Sequence, residues 1–306
     1  MHVAVMGSGG LGGYFGARLA ASGTQVSFIA RGANLAAMRD HGLRIKSELG
    51  DLHLGQVTAT DDPAEIGTVD CVLVMVKLYD TESAAKAIQP LIGPETGVVG
   101  FQNGMESAAI LTHVLGPERV MDGVAYCPAV LEAPGVIRQS GTTARLVFGE
   151  IDGRISQRAK ALEAALEQAN VDHLLSDQVV LEVWKKFVSQ SAFSGISAVI
   201  RRDLGDIRAD PDTRALLEAA LAESVAVAKA KGVEFSADDI AQCHHYVFES
   251  WTPKSRASLL QDLEIGKPLE LPWLSGAVVR LGRELGVPTP THDFITTALK
   301  LHVNGR

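Results

Sequence analysis

Three cysteines in 306 residues, Cys71, Cys127 and Cys243, lie far apart with no C-x-x-C pair, so neither a disulfide framework nor a zinc-ligand set organises this chain. A reducing compartment fits, and no metal site is expected. Basic residues are also in short supply. The 28 Lys and Arg against 36 Asp and Glu leave a formal charge of −8, which excludes a general nucleic-acid binder needing a basic face for phosphates. No apolar run approaches the roughly eighteen residues of a membrane span. The first residues form an apolar strand pattern with no basic stretch before it, so a cytoplasmic protein without membrane contact is expected. Internal repeats and low-complexity tracts are missing too.

What the chain does have stands at its beginning. Met1-His2-Val3-Ala4-Val5-Met6 reads as a buried parallel strand; it runs into Gly7-Ser8-Gly9-Gly10-Leu11-Gly12-Gly13 and then into a helical stretch from Tyr14 to Ala20. The spacing of Gly7, Gly9 and Gly12 reproduces the dinucleotide fingerprint G-x-G-x-x-G in its required strand-turn-helix context. Gly7 permits the tight turn, Gly9 lacks the Cβ that would hold a pyrophosphate off the backbone, and Gly12 lets the helix lie against the strand. The phosphates would meet free amides at a helix N-terminus.

In a chain with 30 glycines that pattern needs support from the next strand. Gln25–Ala30 supplies it, ending at Arg31, where NAD-binding chains usually place an acid for the ribose 2′-hydroxyl. An arginine there suits a 2′-phosphate and so favours NADP over NAD, the alternative being a solvated surface arginine. Two further strands end in polar groups. Asp70–Val76 ends in Lys77, and Gly97–Phe101 ends in Gln102-Asn103-Gly104. Ligands of open α/β sheets gather beyond the carboxyl ends of strands, which makes Lys77 and Asn103 candidate cofactor contacts. A solvated lysine and a plain Asn-Gly turn are the alternatives.

Between these landmarks the patterning predicts a helix over 34–41, a hairpin within 43–60, a helix over 81–91, short strands from 120 to 150 and a helix over 155–168. The βα rhythm ends near Leu175. Beyond it nearly everything reads as helix, broken at Gly232, Gly266 and Gly286. The expected fold is α/β: a Rossmann-type dinucleotide-binding domain over 1–174, then a smaller all-helical domain over 175–306.

One helical stretch, 181–197, carries Lys186, Gln190 and Ser194 at i, i+4 and i+8 on an otherwise apolar helix. Spacing alone favours a solvated stripe in which Lys186 pairs with Glu182 one turn earlier. The other reading is a buried polar line facing a ligand.

Taken together, the chain resembles ketopantoate reductases (2-dehydropantoate 2-reductases) over almost its full length. The likeness rests on Gly7–Gly12, Val76-Lys77, Gln102-Asn103-Gly104, Val183-Trp184-Lys185-Lys186, and Ser258-Leu259-Leu260-Gln261-Asp262 followed by Glu270, all in the family's order. The resemblance implies NADPH-dependent reduction of a 2-oxo acid, ketopantoate to pantoate in pantothenate biosynthesis, in a cleft between two domains. It implies Lys186 as proton donor, Glu270 as a catalytic acid, and Ser258, Gln190 and Ser194 as substrate contacts. Gly7, Ser8, Gly9, Gly10, Leu11, Gly12, Arg31, Lys77, Asn103 and Ala129 become the cofactor set. It reverses the odds on Lys186. Gln190 and Ser194 stand where the family is expected to carry asparagines, and the segment Arg201–Asp206 lacks an expected asparagine. A reductase of another 2-oxo acid or an imine, and a non-catalytic NADP(H)-sensing protein, therefore stay open; a homodimer is compatible with each.

Overall fold

A computed structural model describes residues 1–306. The chain divides into two units, Met1–Gln102 with Glu106–Val180, and Asn103–Met105 with Leu181–Arg306. The composition shift near Leu175 thus precedes the division, which falls inside a helix, and the three residues after Gln102 count with the helical unit.

The first unit contains β1 (His2–Met6), α1 (Gly10–Ala21), β2 (Gln25–Ile29), α2 (Gly32–His41), β3 (Leu43–Ser47), β4 (Leu52–Leu54), β5 (Thr58–Thr60), β6 (Val69–Val74), α3 (Thr81–Ala87), β7 (Ile92–Gly100), α4 (Ser107–Leu115), β8 (Val120–Tyr126), β9 (Ala129–Ala133), β10 (Val136–Gln139), β11 (Arg145–Glu150), α5 (Gln157–Gln168) and β12 (Asp172–Leu175). Eight of the strands form one sheet in the order β12-β11-β8-β7-β6-β1-β2-β5, parallel except for the β8–β11 pair. β1 lies inside it, with Val5 paired to Phe28 on one side and to Leu73 on the other. Its two faces feed two cores: Val3 and Val5 pack with Phe15 and Phe28, Ala4 and Met6 with Val72 and Val98. That double burial is why the strand reads as an unbroken apolar run.

The hairpin expected within 43–60 forms as β3 and β4, but it belongs to a second sheet, β4-β3-β10-β9. Here β10 runs parallel to β3, with Ile137 beside Ile45, and Ile137 reaches into the space a Cβ at Gly13 would need. Helix ends follow local chemistry. α3 stops at Ala87 rather than near Leu91, because Pro90 opens a separate 3-10 turn at Gln89–Leu91. α5 starts after Ser156, whose hydroxyl accepts from the Ala159 amide at 3.2 Å.

The second unit is helical: α6 (Val179–Ile200), α7 (Leu204–Ala209), α8 (Pro211–Ala230), α9 (Ala237–His245), α10 (Ser258–Glu264), α11 (Ser275–Leu285) and α12 (Pro290–Leu299). Gly232 and Gly266 follow α8 and α10, and Gly286 closes α11 in the left-handed conformation at φ 70°. α6 is central. Phe187, Phe193 and Ile196 from it share one core with Leu217, Leu260, Val278 and Ile295. No helix is long and apolar enough to cross a membrane.

Candidate active site

The glycine turn is built as its spacing demands. Gly7 has φ 98°, and a Cβ there would lie 2.8 Å from the Val76 amide nitrogen, so only glycine serves. A Cβ at Gly12 would strike the Gly7 carbonyl and lie 2.9 Å from Val5 Cγ1. At Gly9, by contrast, a Cβ would meet nothing within 4 Å. The turn is therefore closed on its protein side and open outward. Gly9 caps α1 without a side-chain hydrogen bond, leaving the helix's first amides to an outside acceptor. This cradle fits a dinucleotide pyrophosphate.

Other groups converge on the same edge. The Ile29 carbonyl, at the end of β2, accepts from the amides of Gly7 and Ser8 at 3.3 and 3.1 Å and from Ser8 Oγ at 3.1 Å, so the turn is tied to the strand end that leads to Arg31. Arg31 is exposed at the N-cap of α2. Lys77 is half-buried just past β6, on the segment whose Val76 lies against Gly7. Ala129 opens β9 with its carbonyl against Gly10. Sequence reasoning missed Asn34. Its Nδ2 donates to the Ser8 carbonyl at 2.9 Å and its Oδ1 accepts from the Gly135 amide at 2.9 Å, so one side chain pins the turn to the second sheet. A polar residue on the inner face of a short helix was the available signal.

In the helical unit, α6 corrects the solvated-stripe reading. Lys186 is 8% exposed, Gln190 is buried and Ser194 fully so. Glu182 pairs instead with Lys185, at 3.2 Å, and Lys185 also meets Gln242 Oε1 at 2.7 Å and Asp239 at 3.5 Å. One residue is 100° of helix, enough to turn Lys185 toward α9 and Lys186 toward Asn103. Lys186 Nζ donates to Asn103 Oδ1 at 3.0 Å. Asn103, expected beside the cofactor, is thus also the acceptor for the lysine. Gln190 Nε2 donates to Ser194 Oγ at 2.8 Å, so the two side chains are bonded to each other. Glu270 is 4% exposed where a 3-10 turn begins, and Ser258 is half-buried as the first residue of α10. Arg201 and Arg202, at the start of the segment that lacks the expected asparagine, are both exposed.

A phosphate-ready glycine turn on a parallel sheet, with a buried ammonium in a following helical unit, is the build of a dinucleotide-dependent oxidoreductase. The sequence matches the model of the ketopantoate reductase PanE/ApbA family over residues 3–153 and that of the same family's C-terminal region over residues 178–303. The chain belongs to the ketopantoate reductase family, whose members are NAD(P)-dependent reductases. It is 32% identical to the 2-dehydropantoate 2-reductase of Mesorhizobium japonicum, over 98% of this chain and 97% of that protein. The crystal structure of a PanE/ApbA family ketopantoate reductase from Ralstonia eutropha superposes with TM-score 0.89 at 31% identity, covering 99% of this chain and 98% of that one. The ternary structure of D-mandelate dehydrogenase with NADH and anilino(oxo)acetate also gives TM-score 0.89, over 99% of this chain and 98% of that one. At 22% identity that likeness shows the shared fold alone.

Proposed function

We propose that this enzyme uses NADPH to reduce a small 2-oxo acid to the 2-hydroxy acid, with 2-dehydropantoate giving (R)-pantoate as the first substrate to test. The observation that carries the reading is the buried Lys186 ammonium, with the Asn103 side-chain oxygen as an acceptor at 3.0 Å. A donor so placed can polarise a carbonyl and deliver a proton to the developing alkoxide. The nicotinamide, when bound, supplies the hydride. Lys186 protonates the carbonyl oxygen as C2 gains hydride, and is reprotonated from water afterwards. Gly7–Gly12, with Ala129 and Lys77, hold the dinucleotide, and Arg31 selects the 2′-phosphate. Glu270 and Ser258 orient the substrate from the helical unit. Three free thiols support a reducing, cytoplasmic setting.

A second substrate reading has its own support. Because Gln190 and Ser194 bond each other, they offer a ligand fewer groups than two independent amides would, and a pocket selects by the partners it leaves unpaired. Another 2-oxo acid or an imine is the alternative. Following NADPH oxidation against a panel of 2-oxo acids and imines tests both. Turnover fastest with 2-dehydropantoate supports the first reading, a different best substrate the second, and tight NADPH binding without any turnover would leave a sensing protein.

A further inference from the structure

We infer that Gln102 is a positioning residue for Lys186, acting through Asn103; this rests on Lys186 being the proton donor. Gln102 follows β7 by two residues and is buried. Its amide is used at both ends: Nε2 donates to Thr81 Oγ1 at 3.0 Å, and Oε1 accepts from Ser107 Oγ at 2.6 Å. Thr81 and Ser107 are buried first residues of α3 and α4. One side chain therefore joins the end of a sheet strand to the starts of two helices. Gly100 makes the room, since a Cβ there would strike Ser107 Oγ and lie 2.9 Å from Gln102 Oε1.

The next residue in the chain is the one that receives the Lys186 proton donor, at 3.0 Å. A lysine stem is long and freely rotating, so the place of its ammonium is set by the groups it meets, Asn103 Oδ1 among them. The acceptor's own Cα is one peptide unit from a clamped amide. A buried glutamine that bonded its hydroxyl partners only for stability would have no reason to act on Lys186. At this position it fixes the backbone from which Asn103 reaches the ammonium, and errors of about 1 Å at a reacting group can cost up to about a hundredfold in rate.

The test is Gln102→Met, similar in volume and unable to hydrogen-bond, with Thr81→Val and Ser107→Ala as milder cuts should the first fail to fold. In a folded variant kcat should fall about tenfold while the KM for substrate and the Kd for NADPH stay within about twofold. The Lys186 ammonium, followed by ¹⁵N NMR without cofactor, should titrate at lower pH, since its charged form loses a fixed acceptor. Thr81→Ser, keeping the hydroxyl, should keep kcat. In an Asn103→Ala background Gln102→Met should add less than about a twofold loss, because the element it acts through is gone. An equal loss in both backgrounds, or an unchanged kcat and an unchanged lysine titration, overturns the inference. Full activity of Lys186→Ala would instead overturn the proton-donor reading, and the lysine titration in Gln102→Met would still report on positioning.

Discussion

Lys186 Nζ and Asn103 Oδ1 stand 3.0 Å apart, a charged donor on a neutral acceptor with little solvent around it. An amide oxygen has no basic site to take the proton, so this contact orients the ammonium and leaves the proton for a substrate.

Replacing Lys186 with Ala should therefore lower kcat by about two to four orders of magnitude, the usual worth of a positioned acid. The affinity for NADPH, measured by fluorescence titration, should stay nearly unchanged, because the glycine cradle lies in the other unit. An intact kcat with a confirmed substrate would remove Lys186 from the chemistry.

Arg31→Ala should erase most of a preference for NADPH over NADH. A bidentate arginine–phosphate contact is worth on the order of 1.5–3 kcal/mol, roughly a ten- to hundredfold change in affinity. Titrating both cofactors into both proteins checks this. Equal affinity in the unmodified protein would contradict the role given to Arg31.

Much of this site is legible in the sequence because it depends on short-range rules. The turn at Gly7–Gly12 and the breaks at Gly232, Gly266 and Gly286 follow from backbone geometry a few residues long. The pairing of β10 with β3 does not: nothing local in Val136–Gln139 says that its partner is Leu43–Ser47. The same limit explains Asn34, whose two partners, Ser8 and Gly135, come from distant parts of the chain. For Lys186, i+4 spacing offered Glu182 as a partner. The competing acceptors of Lys185, and the burial of the whole inner face of α6, exist only once α9 and the neighbouring helices have packed.

The glycine turn separates binding from folding. Gly9→Ala adds a methyl where nothing lies within 4 Å, so its thermal midpoint should barely change while the cofactor Kd rises. Gly12→Ala drives a methyl into the Gly7 carbonyl and should destabilise the fold by about 1–3 kcal/mol. Urea denaturation and NADPH titration of both variants decide it. Similar stability losses in the two would refute the division of roles.

Asp122 on β8 is buried, its carboxyl accepting from the Gly123 amide at 2.9 Å, and burial pushes that carboxyl up to about 7. Between the ordinary value of 3.8 and that point the folded chain keeps a proton that the unfolded chain releases. This contribution to stability is thus complete below 3.8 and is lost as pH rises through about 7. Asp122→Asn has no such loss. Its stability gain over the unmodified protein should grow between pH 5 and pH 8, to at most about 4 kcal/mol by the 1.4 kcal/mol-per-unit rule. A gain independent of pH would mean that Asp122 is ionised throughout.

His292 in α12 should give the opposite slope. Its Nε2 lies 2.9 Å from the Ala220 carbonyl and 2.9 Å from Ser224 Oγ. A carbonyl only accepts, so Nε2 carries the proton and Nδ1 is bare, and Nδ1 is buried with no partner. Adding a second proton would bury an unanswered donor and a net charge. Burial accordingly holds the pKa below 6.5, against the pull of the Ala220 carbonyl and the charges of Glu223 and Asp293. The folded state is then favoured in full above 6.5 and loses that advantage as pH falls, because the unfolded chain takes up the proton first. His292→Gln keeps a donor for Ala220 and does not titrate. It should be less stable than the unmodified protein at pH 8, by about 1–3 kcal/mol for an imperfectly filled buried polar site. The gap should then narrow as pH drops from 7 to 5, read from thermal midpoints across that range. A gap that stays constant would show that His292 titrates alike in the folded and unfolded chains.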